Sequence, residues 1–183
     1  MREENLRRML QNTAFYALGG RKNVMIRILF ICHGNICRSA AAQYVLQDMV
    51  DRARLSDRFL IDSAATSREE IGNPVYPPMK RTLEAHGIRC SGHAAKQLTR
   101  RDYDGFDYLI GTDQENIYYM HRICGGDPEE KFSLLMDYTD RPGTEISDPW
   151  YTRDFERTYR DVIKGCTGLL DYLRSSGKLQ RLS

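Results

Sequence analysis

The residues that first indicate chemistry are a cysteine and an arginine separated by five residues, Cys32 and Arg38. They stand between a short apolar run and a helical pattern of apolar residues, so they belong to a loop that joins a strand to a helix. Such a loop points several backbone N–H groups to one side, where the helix dipole favours a phosphate dianion. The same groups stabilise a thiolate, which predicts Cys32 as a nucleophile. The planar fork of Arg38 suits two phosphoryl oxygens.

The spacing of these two residues is common by chance, and its surroundings make the prediction specific. Gly34 and Asn35 tolerate the left-handed backbone that a tight loop needs. Ser39 follows the arginine at the start of the helical pattern. A strand, a glycine-containing loop and a helix together predict a phosphate site.

Alternating strand and helix patterns position this loop. Short β-rich runs occur at 26–31, 59–61, 106–110 and 132–136, and helical patterns lie near 42–50, 77–87, 114–123 and 155–173. This alternation predicts one α/β domain with a four-stranded parallel sheet and helices on both faces. Ligands of such sheets bind beyond the carboxyl ends of the strands, here at Cys32, at Ser63 and after Met136. Asp113 is expected to cap the helix that follows it.

The composition of the 183 residues excludes several classes of protein. No apolar run approaches the ~18 residues of a membrane span, and the mean hydropathy is −0.57. The net charge is +2, of which residues 1–24 contribute +3, so residues 25–183 are nearly neutral. Near-neutrality gives no reason to expect a nucleic-acid partner. Five cysteines without paired spacings argue against a secreted disulfide framework.

These observations predict the organisation of the chain. Residues 25–183 are expected to form the working domain, and residues 1–24 an appendage that is helical or disordered. Residues 1–24 lack the apolar core and cleavage site of a signal peptide. We therefore expect a cytoplasmic protein with no membrane partner. The sequence has no obvious exposed apolar stripe, which favours a monomer.

The segment around Cys32 resembles the phosphate-binding loop of the low-molecular-weight protein tyrosine phosphatases. The similarity extends over residues 25–175 and includes Asp62-Ser63-Ala64, Gly92-His93 with Gln97-Leu98-Thr99, residues 107–116 and Ser147-Asp148-Pro149-Trp150-Tyr151. The resemblance implies the phosphotyrosine protein phosphatase I-like fold. It also implies hydrolysis of phosphotyrosine in a protein substrate, with no metal and no cofactor.

The resemblance assigns roles to individual residues. Cys32 would attack phosphorus to form a phosphocysteine, and Asp148 would protonate the leaving oxygen and then activate water. The phosphate would be bound by His33, Gly34, Asn35, Ile36, Cys37, Arg38 and Ser39. The loop would be supported by Asn35, Ser39, Ser63 and His93, with Ser39 bonded to the cysteine sulfur. Trp150 and Tyr151 would form a wall of the substrate pocket.

Three positions depart from the family pattern. Ala40 stands where a proline is usual, and His33 stands where leucine or threonine is common. His33 would therefore contact the substrate or alter the local charge. The tryptophan that often follows Ser63 is replaced by the segment 67–70, Ser-Arg-Glu-Glu. That wall of the pocket is missing or is supplied elsewhere.

Other functions of the same fold remain as alternatives. The resemblance would place a threonine at Ile36 in a protein arginine phosphatase, so Ile36 favours phosphotyrosine. A thiol-dependent arsenate reductase needs two redox cysteines close together, whereas Cys90 and Cys124 are 34 positions apart. A non-catalytic phosphate-binding module has no support in a sequence that retains the nucleophile, the arginine and the acid. Cys37 either forms a reversible disulfide with Cys32, as the resemblance implies, or is an inert thiol.

Overall fold

Four parallel strands form the central sheet, in the order β2-β1-β3-β4. A computed structural model describes residues 25–179. The strands are β1 (Ile26–Cys32), β2 (Phe59–Ala65), β3 (Tyr108–Gly111) and β4 (Phe132–Leu134). The α-helices are α1 (Arg38–Arg52), α2 (Pro77–Ala85), α3 (Arg100–Gly105), α4 (Gln114–Cys124), α5 (Pro149–Thr152) and α6 (Phe155–Ser175). Because β1 pairs with β2 on one side and with β3 on the other, its carboxyl end is the topological switch point.

The side chains of β1 alternate between two apolar cores. Ile28 and Phe30 pack into the core that contains α1, α2 and α6. Leu29 and Ile31 pack into a second core with residues of α3 and α4. Helices therefore cover both faces of the sheet, as the sequence predicts.

The long helix α6 packs closely against the turn that follows β4. A Cβ atom at Gly168 would lie 1.9 Å from the carbonyl oxygen of Tyr138, so only glycine permits this approach. The predicted apolar stripe of α6 is confirmed, with Val162, Cys166 and Leu169 fully buried. The helix begins at Phe155, shortly after the segment that contains Asp148, with Asp154 as its N-cap.

Several elements differ in extent from the prediction. β2 continues through polar residues to Ala65, because it pairs with β1 residue by residue as far as Cys32. The fourth strand ends at Leu134, and Leu135–Tyr138 form a 3-10 turn instead of continuing it. The short helices α3 and α5 were not anticipated from the sequence.

The predicted appendage, residues 1–24, lies outside the described residues. Within residues 25–179, the helices are too short or too polar to cross a lipid bilayer.

Candidate active site

The loop between β1 and α1 occupies the switch point. Asn35 adopts the left-handed backbone with φ of +59°, as the sequence predicts for this loop. Gly34 is not among the residues with positive φ, and a Cβ there would meet the Cγ of Glu70 at 3.1 Å, a close contact that a small shift of the Glu70 side chain relieves. Cys37 is the N-cap of α1, so the N-terminus of a 15-residue helix faces the loop. The positive end of that helix favours an anion at this place.

The sulfur of Cys32 lies within the loop and meets two hydrogen-bonding groups. The backbone N–H of Asn35 donates to Sγ at 3.3 Å, and the hydroxyl of Ser39 lies 3.0 Å from Sγ. Ser39 is fully buried, and Cys32 is nearly so. The Asn35 amide and the Ser39 hydroxyl therefore hold the sulfur in place within the loop.

Asn35 connects the loop to the structure beneath it. Its side-chain amide donates to the hydroxyl oxygens of Ser39 at 2.9 Å and Ser63 at 2.8 Å. Its side-chain oxygen accepts the backbone N–H of Lys96 at 3.2 Å. Its backbone oxygen lies 2.6 Å from Nε2 of His93. The four residues that the resemblance assigns to loop support are therefore adjacent in space.

His93 supports the loop as a hydrogen-bond donor. Because a carbonyl oxygen can only accept, Nε2 of His93 carries the proton in the bond to Asn35. Burial lowers the pKa of His93 below its ordinary value, although the Asn35 carbonyl and Asp62 act in the opposite direction. Lys96, which pairs with Asp62, also lowers it.

Arg38 is buried at the first position of α1 and forms two ion pairs. Its Nη1 lies 2.5 Å from Oδ2 of Asp113, and its Nη2 lies 2.6 Å from Oδ2 of Asp148. Nη1 also donates to the carbonyl of Ile146 at 3.3 Å. Burial opposes the charge, but Cys32, Asp148 and Asp113 outweigh it and raise the pKa of Arg38. The guanidinium is therefore a fixed cation beside the sulfur.

Asp148 faces the loop from the N-terminus of α5. Its Oδ1 accepts the backbone N–H of Trp150 at 2.9 Å, which makes it the N-cap of this helix, and its Oδ2 is held by Arg38. Pro149 occupies the first helical position, where its missing N–H costs no hydrogen bond. The carboxyl group is therefore held at both oxygens, Oδ1 by the backbone of α5 and Oδ2 by Arg38 at the loop.

A cleft of about 390 Å³ opens above the loop. Buried Cys32 and Arg38 form its floor, while Trp150 (44% exposed) and Tyr151 (83% exposed) stand at its edge. Among the loop residues, His33, Gly34, Ile36 and Cys37 also line the cleft. The side chains of Asn35, Ser39, Ser63 and His93 do not line it and bond to one another behind the loop.

We define the pocket rim as the lining residues His33, Glu69, Glu70, Glu115, Trp150 and Tyr151, each of which is exposed or partly exposed. Nε2 of His33 lies 3.1 Å from Oε2 of Glu69, and Glu70 accepts from the amide of Asn73 at 2.6 Å. Glutamates 69 and 70 therefore line the cleft where family members often carry a tryptophan. With Asp113, Glu115 and Asp148, five carboxylates line the cleft.

Cys37 differs from Cys32 in its surroundings. Burial, followed by the nearby Cys32 and Asp148, raises the pKa of the Cys37 thiol. A protonated thiol is a poor nucleophile, so the two loop cysteines are not equivalent. Both are free thiols. Among residues 25–179, no three His, Cys, Asp or Glu side chains are grouped as metal ligands would be.

Two features of the site do not follow from the sequence pattern. Asp113 was expected only as a helix cap, and it does accept the backbone N–H of Asn116 at 2.7 Å. Its second oxygen pairs with Arg38, 75 positions earlier, and no local pattern indicates that contact. The bond between His33 and Glu69 is likewise set by the fold.

The comparisons with known proteins agree with this geometry. A family model described as low molecular weight phosphotyrosine protein phosphatase matches residues 27–179. The low molecular weight protein-tyrosine-phosphatase YfkJ of Bacillus subtilis is 34% identical over 156 residues, which cover 85% of this chain and 100% of the relative. The low molecular weight phosphotyrosine protein phosphatase of Rattus norvegicus is 36% identical over 148 residues, covering 79% and 93% of the two chains.

Solved structures give the same result. The crystal structure of YfkJ from Bacillus subtilis matches with a TM-score of 0.82 and 33% sequence identity, covering 88% of this chain and 100% of that one.

Proposed function

The chain belongs to the low-molecular-weight phosphotyrosine protein phosphatase family, and we propose that it hydrolyses protein phosphotyrosine through a phosphocysteine intermediate. The observation that carries the proposal is the joint placement of three groups at one cleft. Cys32 and the buried Arg38 form its floor, and Asp148 is bonded to Arg38 at 2.6 Å. A nucleophile, a fixed cation and a carboxyl group at one cavity suit phosphoryl transfer to sulfur.

In the first step, the Cys32 thiolate attacks phosphorus and the bond from phosphorus to the phenolic oxygen breaks. The N–H groups of the loop and the fork of Arg38 bind the equatorial oxygens, most strongly in the transition state. When Arg38 turns to the phosphate, Oδ2 of Asp148 is released from its ion pair. Asp148 in its protonated form then gives its proton to the leaving oxygen, and tyrosine departs neutral.

In the second step, water hydrolyses the phosphocysteine. Asp148, now a carboxylate, removes a proton from the water, whose oxygen bonds to phosphorus as the bond from phosphorus to sulfur breaks. The Cys32 thiolate leaves, and the hydroxyl of Ser39 at 3.0 Å stabilises its charge. Inorganic phosphate is released.

The shape of the cleft supports an aromatic ester as substrate. Trp150 and Tyr151 offer ring faces at the edge of the cleft, and Tyr76 packs on Trp150 with ring centroids 5.2 Å apart. The guanidinium of Arg153 also lies over the Trp150 ring, 5.4 Å from its centroid. Stacking against such rings favours a phenyl leaving group. The partner we propose is therefore a protein that carries phosphotyrosine.

The proposal is tested by hydrolysis of p-nitrophenyl phosphate across pH 4.5–8. We expect turnover by the wild type and a loss of more than about 10³-fold in Cys32→Ser, because the oxygen nucleophile is not activated in the loop. Cys124→Ser is the matched control, since Cys124 ends α4 and is absent from the cleft lining. A Cys32→Ser enzyme that retained wild-type turnover would overturn the proposal.

The alternative of phosphoarginine is tested with the same protein. Ile36 lines the cleft at the position where the resemblance would place threonine in an arginine phosphatase. We expect faster hydrolysis of a phosphotyrosine peptide than of a matched phosphoarginine peptide. The reverse order would assign the enzyme to the arginine branch. If neither peptide were hydrolysed while phosphate or vanadate still bound, the protein would be a non-catalytic phosphate-binding module.

A further inference from the structure

Gln43, on the second turn of α1, is bonded to the network behind the loop. The hydroxyl of Ser63 donates to Oε1 of Gln43 at 2.6 Å. Gln43 is absent from the cleft lining, so it does not meet the substrate. Among residues 25–179, its side-chain hydrogen bond leads to the reacting sulfur through the buried side chains of Ser63, Asn35 and Ser39.

The hydrogens of this network have one consistent arrangement. The backbone N–H of Lys96 can only donate, so the atom of Asn35 that faces it is the oxygen. The amide nitrogen of Asn35 therefore faces both serines and donates one hydrogen to each. Each serine oxygen accepts from Asn35, and each hydroxyl hydrogen must find a different acceptor.

The two hydroxyl hydrogens then point in fixed directions. The hydroxyl hydrogen of Ser63 is donated to Oε1 of Gln43. That of Ser39 has two acceptors within range, the Cys32 sulfur at 3.0 Å and the Ala64 carbonyl at the long distance of 3.5 Å. The shorter bond directs the Ser39 hydrogen to the sulfur.

We propose that Gln43 is a positioning residue that holds the Ser63 end of this hydrogen-bond chain in the direction that Lys96 sets, so that Asn35 keeps donating to Ser39 and Ser39 to the Cys32 thiolate. The inference rests on the proposed function, in which that thiolate is both nucleophile and leaving group. Without an acceptor at position 43, the Ser63 hydroxyl is free to rotate and can turn its hydrogen toward the Asn35 amide, which weakens the bond that holds Asn35. Ser39 then spends less time as a donor to sulfur, and the thiolate is less stable.

The test removes the acceptor without changing the size of the side chain. We expect Gln43→Met to lower kcat on p-nitrophenyl phosphate by about threefold to tenfold, the effect of one hydrogen bond. We expect KM to change by less than about twofold, because the residue does not meet the substrate. Gln47→Met is the matched control, since Gln47 lies one turn further along α1 and donates to Asp51 at 2.7 Å. Wild-type kcat in Gln43→Met would overturn the inference.

A double-mutant cycle separates this chain from a general effect on packing. If Gln43 acts through Ser63, Gln43→Met has no further effect on kcat in a Ser63→Ala background. Additive losses would overturn the inference, because they would require a different route. Gln43→Glu keeps an acceptor oxygen, and at 1 M salt, where the Debye length is about 3 Å, we expect it to retain most of the wild-type kcat.

A measurement that needs no turnover distinguishes this inference from the proposed function. The rate of Cys32 alkylation by iodoacetamide rises with pH as the thiolate forms. We expect Gln43→Met to move the midpoint of that rise to higher pH, and Gln47→Met to leave it unchanged. If the wild type failed to hydrolyse any phosphate ester, this shift would still decide the role of Gln43. An unshifted midpoint in Gln43→Met would refute it.

Discussion

Apart from His33, which belongs to the rim, the loop at residues 32–39 and the rim of the pocket are built in opposite ways. Buried side chains such as Asn35 and Ser39 hold the loop, through bonds that reach β2 and the segment of His93. The rim is charged and exposed, and His33 and Glu69 meet there with side chains 44% and 72% exposed. The buried hydrogen bonds that hold the loop are shielded from water, whereas exposed ion pairs such as the one at the rim contribute little to stability.

This difference separates chemistry from selectivity. The loop and Arg38 surround the place where phosphorus reacts, and every phosphate ester meets them in the same way. The rim meets the part of the substrate that varies, and it is also where this chain departs from the family pattern. Loop substitutions should therefore lower kcat for all substrates equally, whereas rim substitutions should change the ranking of substrates.

The largest effect is expected from Arg38→Lys. Lysine keeps the charge but lacks the fork that binds two phosphoryl oxygens, and it cannot hold Asp113 and Asp148 together. We expect kcat/KM to fall by about 10³-fold, equally for p-nitrophenyl phosphate and for phosphotyrosine peptides. Arg52→Lys is the control, since Arg52 ends the same helix and pairs with Asp48 at the surface. Losses that differed strongly between substrates would break the separation of loop and rim.

Asp148→Asn is expected to have the next largest effect. Asparagine still accepts the backbone N–H of Trp150, so α5 is preserved while the proton donor is lost. We expect kcat on p-nitrophenyl phosphate to fall by about 10²-fold, and more for phenyl phosphate, whose leaving group needs the proton more. Asp171→Asn is the control, because position 171 lies about 24 Å along α6 from its start. Equal losses with both esters would argue against general acid catalysis.

The sequence was sufficient for the elements that carry this site. The apolar run before Cys32 and the helical pattern after Arg38 predict the strand, loop and helix that the structure contains. The sequence also indicates Asp148 before Pro149 and the helical pattern of residues 155–173 that becomes α6. These features are local, because a strand, a tight loop and a helix each depend on residues close together in the chain.

The remaining features of the site depend on contacts between residues that are distant in the sequence. Asp113 pairs with Arg38 across 75 positions, and His33 meets Glu69 across 36. No spacing rule describes such pairs, since they follow from the register of β1 against β2 and β3. The full length of β2 could not be predicted from the sequence either, because the polar residues near its carboxyl end interrupt the apolar pattern.

A smaller effect is expected at the rim, from Glu115→Gln. Glu115 lines the cleft in the first turn of α4, and its negative charge repels a phosphate dianion. We expect kcat/KM for p-nitrophenyl phosphate to rise by about twofold at low salt, with kcat unchanged and the gain lost at high salt. Glu84→Gln on α2 is the control. A change in kcat would place Glu115 with the loop instead of the rim.

The same variant sharpens the comparison through its substrates. The carboxylates around the cleft favour phosphotyrosine peptides with neighbouring lysine or arginine over peptides with neighbouring aspartate or glutamate. Glu115→Gln should reduce that preference, measured as the ratio of the two kcat/KM values, whereas Arg38→Lys should leave the ratio unchanged. A ratio that did not depend on position 115 would remove Glu115 from the selectivity of the rim.

The smallest effect concerns stability and the support of the loop by His93. Because burial lowers the pKa of His93, the folded protein binds fewer protons than the unfolded chain just below pH 6.5. The contribution of His93 to stability is therefore fully present above pH 6.5 and is lost as the pH falls toward its lowered pKa.

We expect the Tm of the wild type to fall between pH 7.5 and pH 5.5. The variant His93→Gln keeps a donor for the Asn35 carbonyl, and we expect its Tm to fall by less, with a difference of a few degrees at most. Thermal unfolding followed by circular dichroism at both pH values checks this, and the comparison uses the change in Tm with pH, since His93→Gln also alters packing at every pH. An equal or steeper fall in the variant would mean that protonation of His93 does not oppose folding, and that the loop is supported by bonds indifferent to the charge of this ring.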